Sequence, residues 1–169
     1  MKRETIFSHD RKHRYTLWRE FEPELARTEL QDSYVQFIGL NPSTADEVQD
    51  DPTIRRCINF ARAWGYGALC MTNLFGFRAT DPRVMKLQPH PIGADNTNQI
   101  REVAEGAGII IAAWGRHGLH CGRQAQVLDA LQPWREKLHH FGLNSDGTPK
   151  HPLYLKASTL LMRFDQAAF

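Results

Sequence analysis

Tyr34-Val35-Gln36-Phe37-Ile38-Gly39-Leu40-Asn41-Pro42-Ser43 is the stretch that decides the fold. Its first seven residues are rich in β-branched and aromatic side chains, which favour a strand, and Pro42, which cannot donate to a ladder, stops it. Asn41 therefore sits at a strand end. Just beyond, Asp51-Pro52 reads as an N-cap with proline in the first turn, and Ile54, Cys57, Ile58, Ala61 and Trp64 recur at helical spacing, so a helix is predicted over 52–64. Gly65 and Gly67 close it. The near-continuous apolar run Ala68 to Phe75 then has the pattern of a parallel strand covered on both faces. Upstream, Arg14 to Arg19 alternates as a first strand, and the acidic stretch Phe21 to Asp32, interrupted by Pro23, reads as a surface connection. Downstream, 76–93 holds Pro82, Pro89 and Pro91 and is expected as a long loop that walls a pocket. A helix over 94–106, a buried strand Gly108 to Trp114 ended by Gly115, a helix over 121–132 and a short strand over 137–141 follow. This alternation predicts an α/β fold, a three-layer α/β/α sandwich with a mostly parallel central sheet.

Composition bounds the class. The 169 residues, 41% hydrophobic and 24% charged, suit one core and a single domain. No window reaches the roughly 18–20 apolar residues of a membrane span, and Met1-Lys2-Arg3-Glu4 lacks an apolar signal core, so a cytoplasmic location is expected. Cys57, Cys70 and Cys121 are odd in number and show no CxxC spacing, which argues against a disulfide framework or a thiolate zinc site and for mostly buried thiols. His117-Gly118-Leu119-His120-Cys121 offers ligand atoms without an HExxH or paired CxxC around them, and no metal or other cofactor is expected. A net charge of +2 permits nucleic-acid binding and does not indicate it.

Loops leaving the carboxyl ends of parallel strands converge on one crevice in open α/β sheets, so the chemistry is sought at strand ends. The Asn41 amide can orient a water through its carbonyl oxygen, or simply serve an Asn-Pro-Ser-Thr turn. Asn73, at the end of an apolar strand, needs a partner, because an unsatisfied buried amide costs about 1–3 kcal/mol. That partner is either backbone or a ligand edge offering both donor and acceptor, as a nucleobase does. His151 can donate to developing negative charge or act as a structural hydrogen-bonder. Phe75 and Trp114 could stack on a planar base or be plain core, and Gly115-Arg116-His117-Gly118 could bring backbone close to a phosphate, without a GxGxxG or Walker pattern around it.

Taken in order, these segments resemble the uracil-DNA glycosylase superfamily, in particular its mismatch-specific uracil/thymine branch. Gly39-Leu40-Asn41-Pro42-Ser43 is similar to the GINPG loop after the first core strand, with Ser43 in place of the second glycine. Thr72-Asn73 followed by Arg78-Ala79-Thr80 resembles the Thr-Asn strand end and Arg-x-Thr element. Trp114-Gly115 resembles the Trp-Gly strand, and His151-Pro152 the start of the HPSP-type loop, here continued by Leu153-Tyr154-Leu155. The layout from GLNPSTAD to DGxPxHPLYL is closer still to an uncharacterised bacterial and phage family, over roughly residues 13 to 156.

The resemblance implies N-glycosidic hydrolysis on a nucleobase or nucleotide, free or in DNA, by a protein expected to be monomeric. Asn41 would hold a water, Asn73 would read the base edge and His151 would stabilise the departing base. Pro42, Ser43, Phe75, Trp114 and Gly115 would complete the substrate contacts. On DNA, Leu153, Tyr154 and Leu155 are candidate wedge residues, and Arg78, Arg83, Lys86, Arg116, Lys150 and Lys156 are either phosphate contacts or a solvated rim. The alternative is a nucleotide- or modified-base-binding module without turnover, in phage defence or DNA metabolism.

Overall fold

The computed structural model describes residues 2–26 and 34–164. Its strands are β1 (Lys2–Phe7), β2 (Arg14–Glu20), β3 (Tyr34–Gly39), β4 (Ala68–Asn73), β5 (Ile109–Ala112), β6 (Leu138–His140) and β7 (Met162–Arg163). Its α-helices are α1 (Pro23–Ala26), α2 (Pro52–Ala63), α3 (Pro82–Lys86), α4 (Asn96–Gly106) and α5 (Arg123–Ala130), with 3₁₀ segments at Arg116–Gly122 and Gln132–Lys137. One seven-stranded sheet runs β1-β2-β4-β3-β5-β6-β7.

The four central strands β4, β3, β5 and β6 pair parallel with one another, whereas β1–β2, β2–β4 and β6–β7 pair antiparallel. Parallel and antiparallel pairings are thus equal in number, and the sheet is mixed where a mostly parallel one is expected from sequence. The difference lies at the edges. β1 and β7 are polar or short, and neither carries the apolar run by which the central strands announce themselves. The connection after β2 includes the short α1, and its residues 27–33 lie outside the described residues.

Side chains from alternate positions of the central strands feed two separate cores, because successive residues of a strand point to opposite faces. Val35, Phe37, Leu69, Met71 and Ile111 pack with Ile54, Cys57, Ile58 and Ala61 of α2. Ile38, Ile110, Ala112 and Leu138 pack with Ile100 and Ala104 of α4 and Val127 and Leu128 of α5. α2 starts where the sequence places it: the Asp51 side chain accepts from the Ile54 N–H at 2.9 Å and Pro52 follows as the first helical residue. Of the cysteines, Cys57 and Cys70 are buried and Cys121 is exposed. Among the described residues, no helix is long and apolar enough to cross a membrane.

Candidate functional site

The carboxyl ends of β3, β4 and β5, with the loop that follows β6, surround a cleft of about 700 Å³. The loop after β3 supplies Asn41. Its Nδ2 donates to the carbonyls of Ala79 (2.8 Å), Pro42 (3.1 Å) and, more loosely, Phe77 (3.4 Å). Three backbone acceptors around one nitrogen fix which end of the amide is which, and they leave Oδ1 as the acceptor for anything held in the cleft. The same contacts tie the β3 loop to the stretch after β4, whose Ala79, Thr80 and Pro82 form part of the wall, as expected from the proline-rich segment.

Asn73 closes β4 and lies beside Gly39 in the parallel register. It is only 3% exposed, and its Nδ2 is buried with no hydrogen-bond partner among the described residues. A Cβ on Gly39 would stand 2.7 Å from Asn73 Oδ1, so glycine at position 39 is what lets this amide occupy the strand end. The backbone of Asn73 is satisfied: its carbonyl, like that of Leu74, accepts from Nδ2 of buried Asn96. The unmet donor belongs to the side chain, in the wall of the cleft.

His151 stands at the cleft mouth, exposed on one side. The Leu153 N–H donates to its Nδ1 at 3.2 Å, which leaves Nε2 to carry the proton of the neutral ring. Desolvation pushes its pKa below the ordinary 6.5, against a smaller opposing pull from the Asp51 carboxylate. The group is thus a neutral N–H donor near pH 7. Gly115 places it: at φ +73°, a region that favours glycine, its N–H donates to the Pro149 carbonyl at 2.9 Å, docking the chain before His151 on the end of β5.

The far wall includes Ser43, Thr44 and Asp51, and the segment between them is held by arginines of β2. Arg19, fully buried, donates from Nε to Asp50 Oδ1 (2.7 Å) and from Nη2 to the Asp46 carbonyl. Arg3 of β1 grips both oxygens of the same carboxylate at 2.9 and 3.0 Å. Burial would raise the Asp50 pKa, but the hydrogen bonds from Arg3 and Arg19 hold it below the usual carboxylate range. Arg14 reaches the Ala45 carbonyl from Nη1 at 2.5 Å.

Of the residues singled out from sequence, Asn41, Ser43, Asn73, Trp114, Gly115 and His151 come together around this cleft, joined by Leu153 of the candidate wedge and Arg116 of the candidate phosphate contacts. Leu155, Arg83, Lys86, Lys150 and Lys156 do not line it, and neither do Pro42, Phe75, Arg78 and Tyr154. Pro42 is buried with its carbonyl accepting from Asn41 and Ala79. Phe75 is wholly in the core beside the ring of His120 (5.6 Å). Arg78 lies over the Phe7 ring at 4.8 Å and donates to the Arg11 carbonyl. Tyr154 is 93% exposed, away from the cleft. Trp114 lines the cleft but is held as core, its Nε1 donating to Gln124 Oε1 at 2.7 Å. Sequence reasoning missed Arg14, Asp51, His117 and Asn144 as wall residues; only Asp51 carried a signal, as the cap of a helix whose N-terminus faces a strand-end crevice. Among the described residues, no three His, Cys, Asp or Glu side chains are grouped to hold a metal ion.

Residues 14–153 match the family model described as "Protein of unknown function (DUF1643)". The chain belongs to the DUF1643 family. The matched span runs from Arg14 at the start of β2 to Leu153 close to His151, and so takes in every residue that lines the cleft. No curated protein and no solved structure matches this DUF1643 chain.

Proposed function

We propose that the cleft recognises a nucleobase or nucleotide and hydrolyses its N-glycosidic bond, within a glycosylase-like α/β/α fold. The reading rests on one observation above others: Asn73 brings a buried, unpartnered amide donor to a cleft that also holds Asn41 and His151. A base edge with an acceptor beside a donor matches that amide and relieves the cost of leaving it unpaired. The two covered faces of the sheet support the layered fold. In the reaction, a water held by Asn41 Oδ1 attacks the anomeric carbon while the carbon–nitrogen bond breaks. The bonding pair leaves with the base, and the Nε2–H of neutral His151 stabilises the negative charge developing on the base oxygen. The proton lost by the water returns to the base through solvent, giving free base and a sugar hydroxyl.

Recognition without turnover is the second reading, and one observation favours it. Asp51 is the carboxylate of the cleft wall, and its Oδ1 already caps α2, which leaves only Oδ2 to serve an attacking water as a base. Incubation with a panel of uracil-, thymine-mismatch-, hypoxanthine- and hydroxymethyluracil-containing oligonucleotides and the matching free nucleotides, with released base detected by mass, separates the two. Base release that is lost in His151→Ala supports hydrolysis. Binding without release across the panel supports the module.

A further inference from the structure

Arg14 is the least explained residue of the cleft. It lines the wall, yet it is only 2% exposed. Its guanidinium makes a single hydrogen bond among the described residues, to Ala45, and its Nε is buried with no partner. No carboxylate of the described residues comes within ion-pair distance. Asp51, which also lines the cleft, acts on it only through space, while the positive charges of Arg78 and Arg19 oppose it. Burial brings its pKa down to about 10, so it remains a cation at neutral pH. The contrast with Arg19 on the same strand is direct: Arg19, equally buried, has Asp50 at 2.7 Å and three backbone carbonyls. A buried charge is tolerated when paired and strongly destabilising when not. Arginine's planar fork also fits the oxygens of a phosphate.

We infer that Arg14 is the anion site of the cleft and that the ligand carries a terminal phosphate, a nucleoside monophosphate and not a free nucleoside or an internal position of a nucleic-acid strand. The inference rests on the nucleobase reading of Asn73 for the other end of the ligand. A phosphate monoester is an end group and can be pushed against a recessed guanidinium. A phosphodiester must continue in both directions, and a side chain 98% covered offers no room for that.

Binding of the wild-type chain to inorganic phosphate, to the 5′- and 3′-monophosphates of the common nucleosides, to the nucleosides themselves and to a single-stranded oligonucleotide lacking terminal phosphates, measured by titration calorimetry, tests this without any variant. At least one monophosphate is expected to bind on the order of 10- to 100-fold more tightly than its nucleoside, as a charge-assisted contact supplies. Inorganic phosphate should compete with it. Arg14→Gln should erase that preference and Arg14→Lys restore part of it. Equal affinity for nucleoside and monophosphate, or tighter binding of the unphosphorylated oligonucleotide than of any mononucleotide, overturns the inference. Failure of the base reading looks different: phosphate and all monophosphates then bind alike, and Asn73→Leu changes none of them.

Discussion

Replacing Asn73 by leucine should make the empty protein more stable and cost it most of its ligand binding. The two amino acids are close in shape, and the backbone carbonyl that Asn96 holds is untouched by the change. What disappears is a buried Nδ2 with no partner, a group that costs about 1–3 kcal/mol when desolvated and unpaired. Taking about 1 kcal/mol, because the fit of a branched apolar side chain beside Gly39 will not be perfect, the melting temperature of a chain this size should rise by roughly 2–4 °C. In the wild type, a ligand at 100 times its Kd adds about 2.7 kcal/mol, or roughly 5–11 °C. In Asn73→Leu that ligand-induced shift should fall to a small part of its wild-type size, the remainder coming from the Arg14 contact. Differential scanning calorimetry, with and without a nucleotide that shifts the wild type, reads both effects in one experiment. A melting temperature several degrees below wild type without ligand would show that the amide is satisfied in solution, by water or by a neighbour, and the case for a waiting ligand would go with it. An undiminished ligand shift would refute base reading by Asn73 directly.

His151→Ala should lower base release by about 10²–10³ with little change in melting temperature, since the ring is exposed and its one hydrogen bond is local; equal losses of stability and activity would mark it as structural. His117, His140 and His151 all have pKa values lowered below 6.5, with desolvation the first cause in each. Below 6.5 the unfolded chain therefore binds more protons than the folded one, so stability should be flat above that pH and fall as pH drops beneath it, a trend that urea titrations at pH 5.5 and 7.5 will show or deny. Asp50→Ala removes the partner of fully buried Arg19 and should cost about 3–5 kcal/mol, whereas Glu47→Ala, which breaks the exposed pair with Arg11, should cost under about 1 kcal/mol by the same denaturation assay.

The chain's own pattern made some parts of this molecule legible and hid others for a physical reason. β3, α2, β4, α4, β5, α5 and β6 follow from apolar periodicity and from caps such as Asp51, because each must bury a face and its sequence says so. β1 and β7 are edge strands whose residues owe their place to a neighbour's ladder and not to burial of their own. The site divides the same way. Asn41 and Asn73 stand out in sequence because a polar residue ends an apolar run, and His151 because its His-Pro pair resembles the start of the HPSP-type loop. Phe75 read as a ligand contact for the same positional reason, but it lies in the core, since a strand's last residues alternate faces and one side faces the helices. Arg14 and Arg19 were invisible: on an alternating strand a cation is read as solvent-facing, and only the tertiary fold shows both buried, one neutralised by Asp50 and one not. Local rules fail where a protein tolerates an unfavourable group for the sake of something it binds. Two such groups, the amide of Asn73 and the guanidinium of Arg14, lie in the wall of one cleft, the first suited to a heterocycle's edge and the second to an anion, and a ligand that carries both relieves both costs in a single binding event.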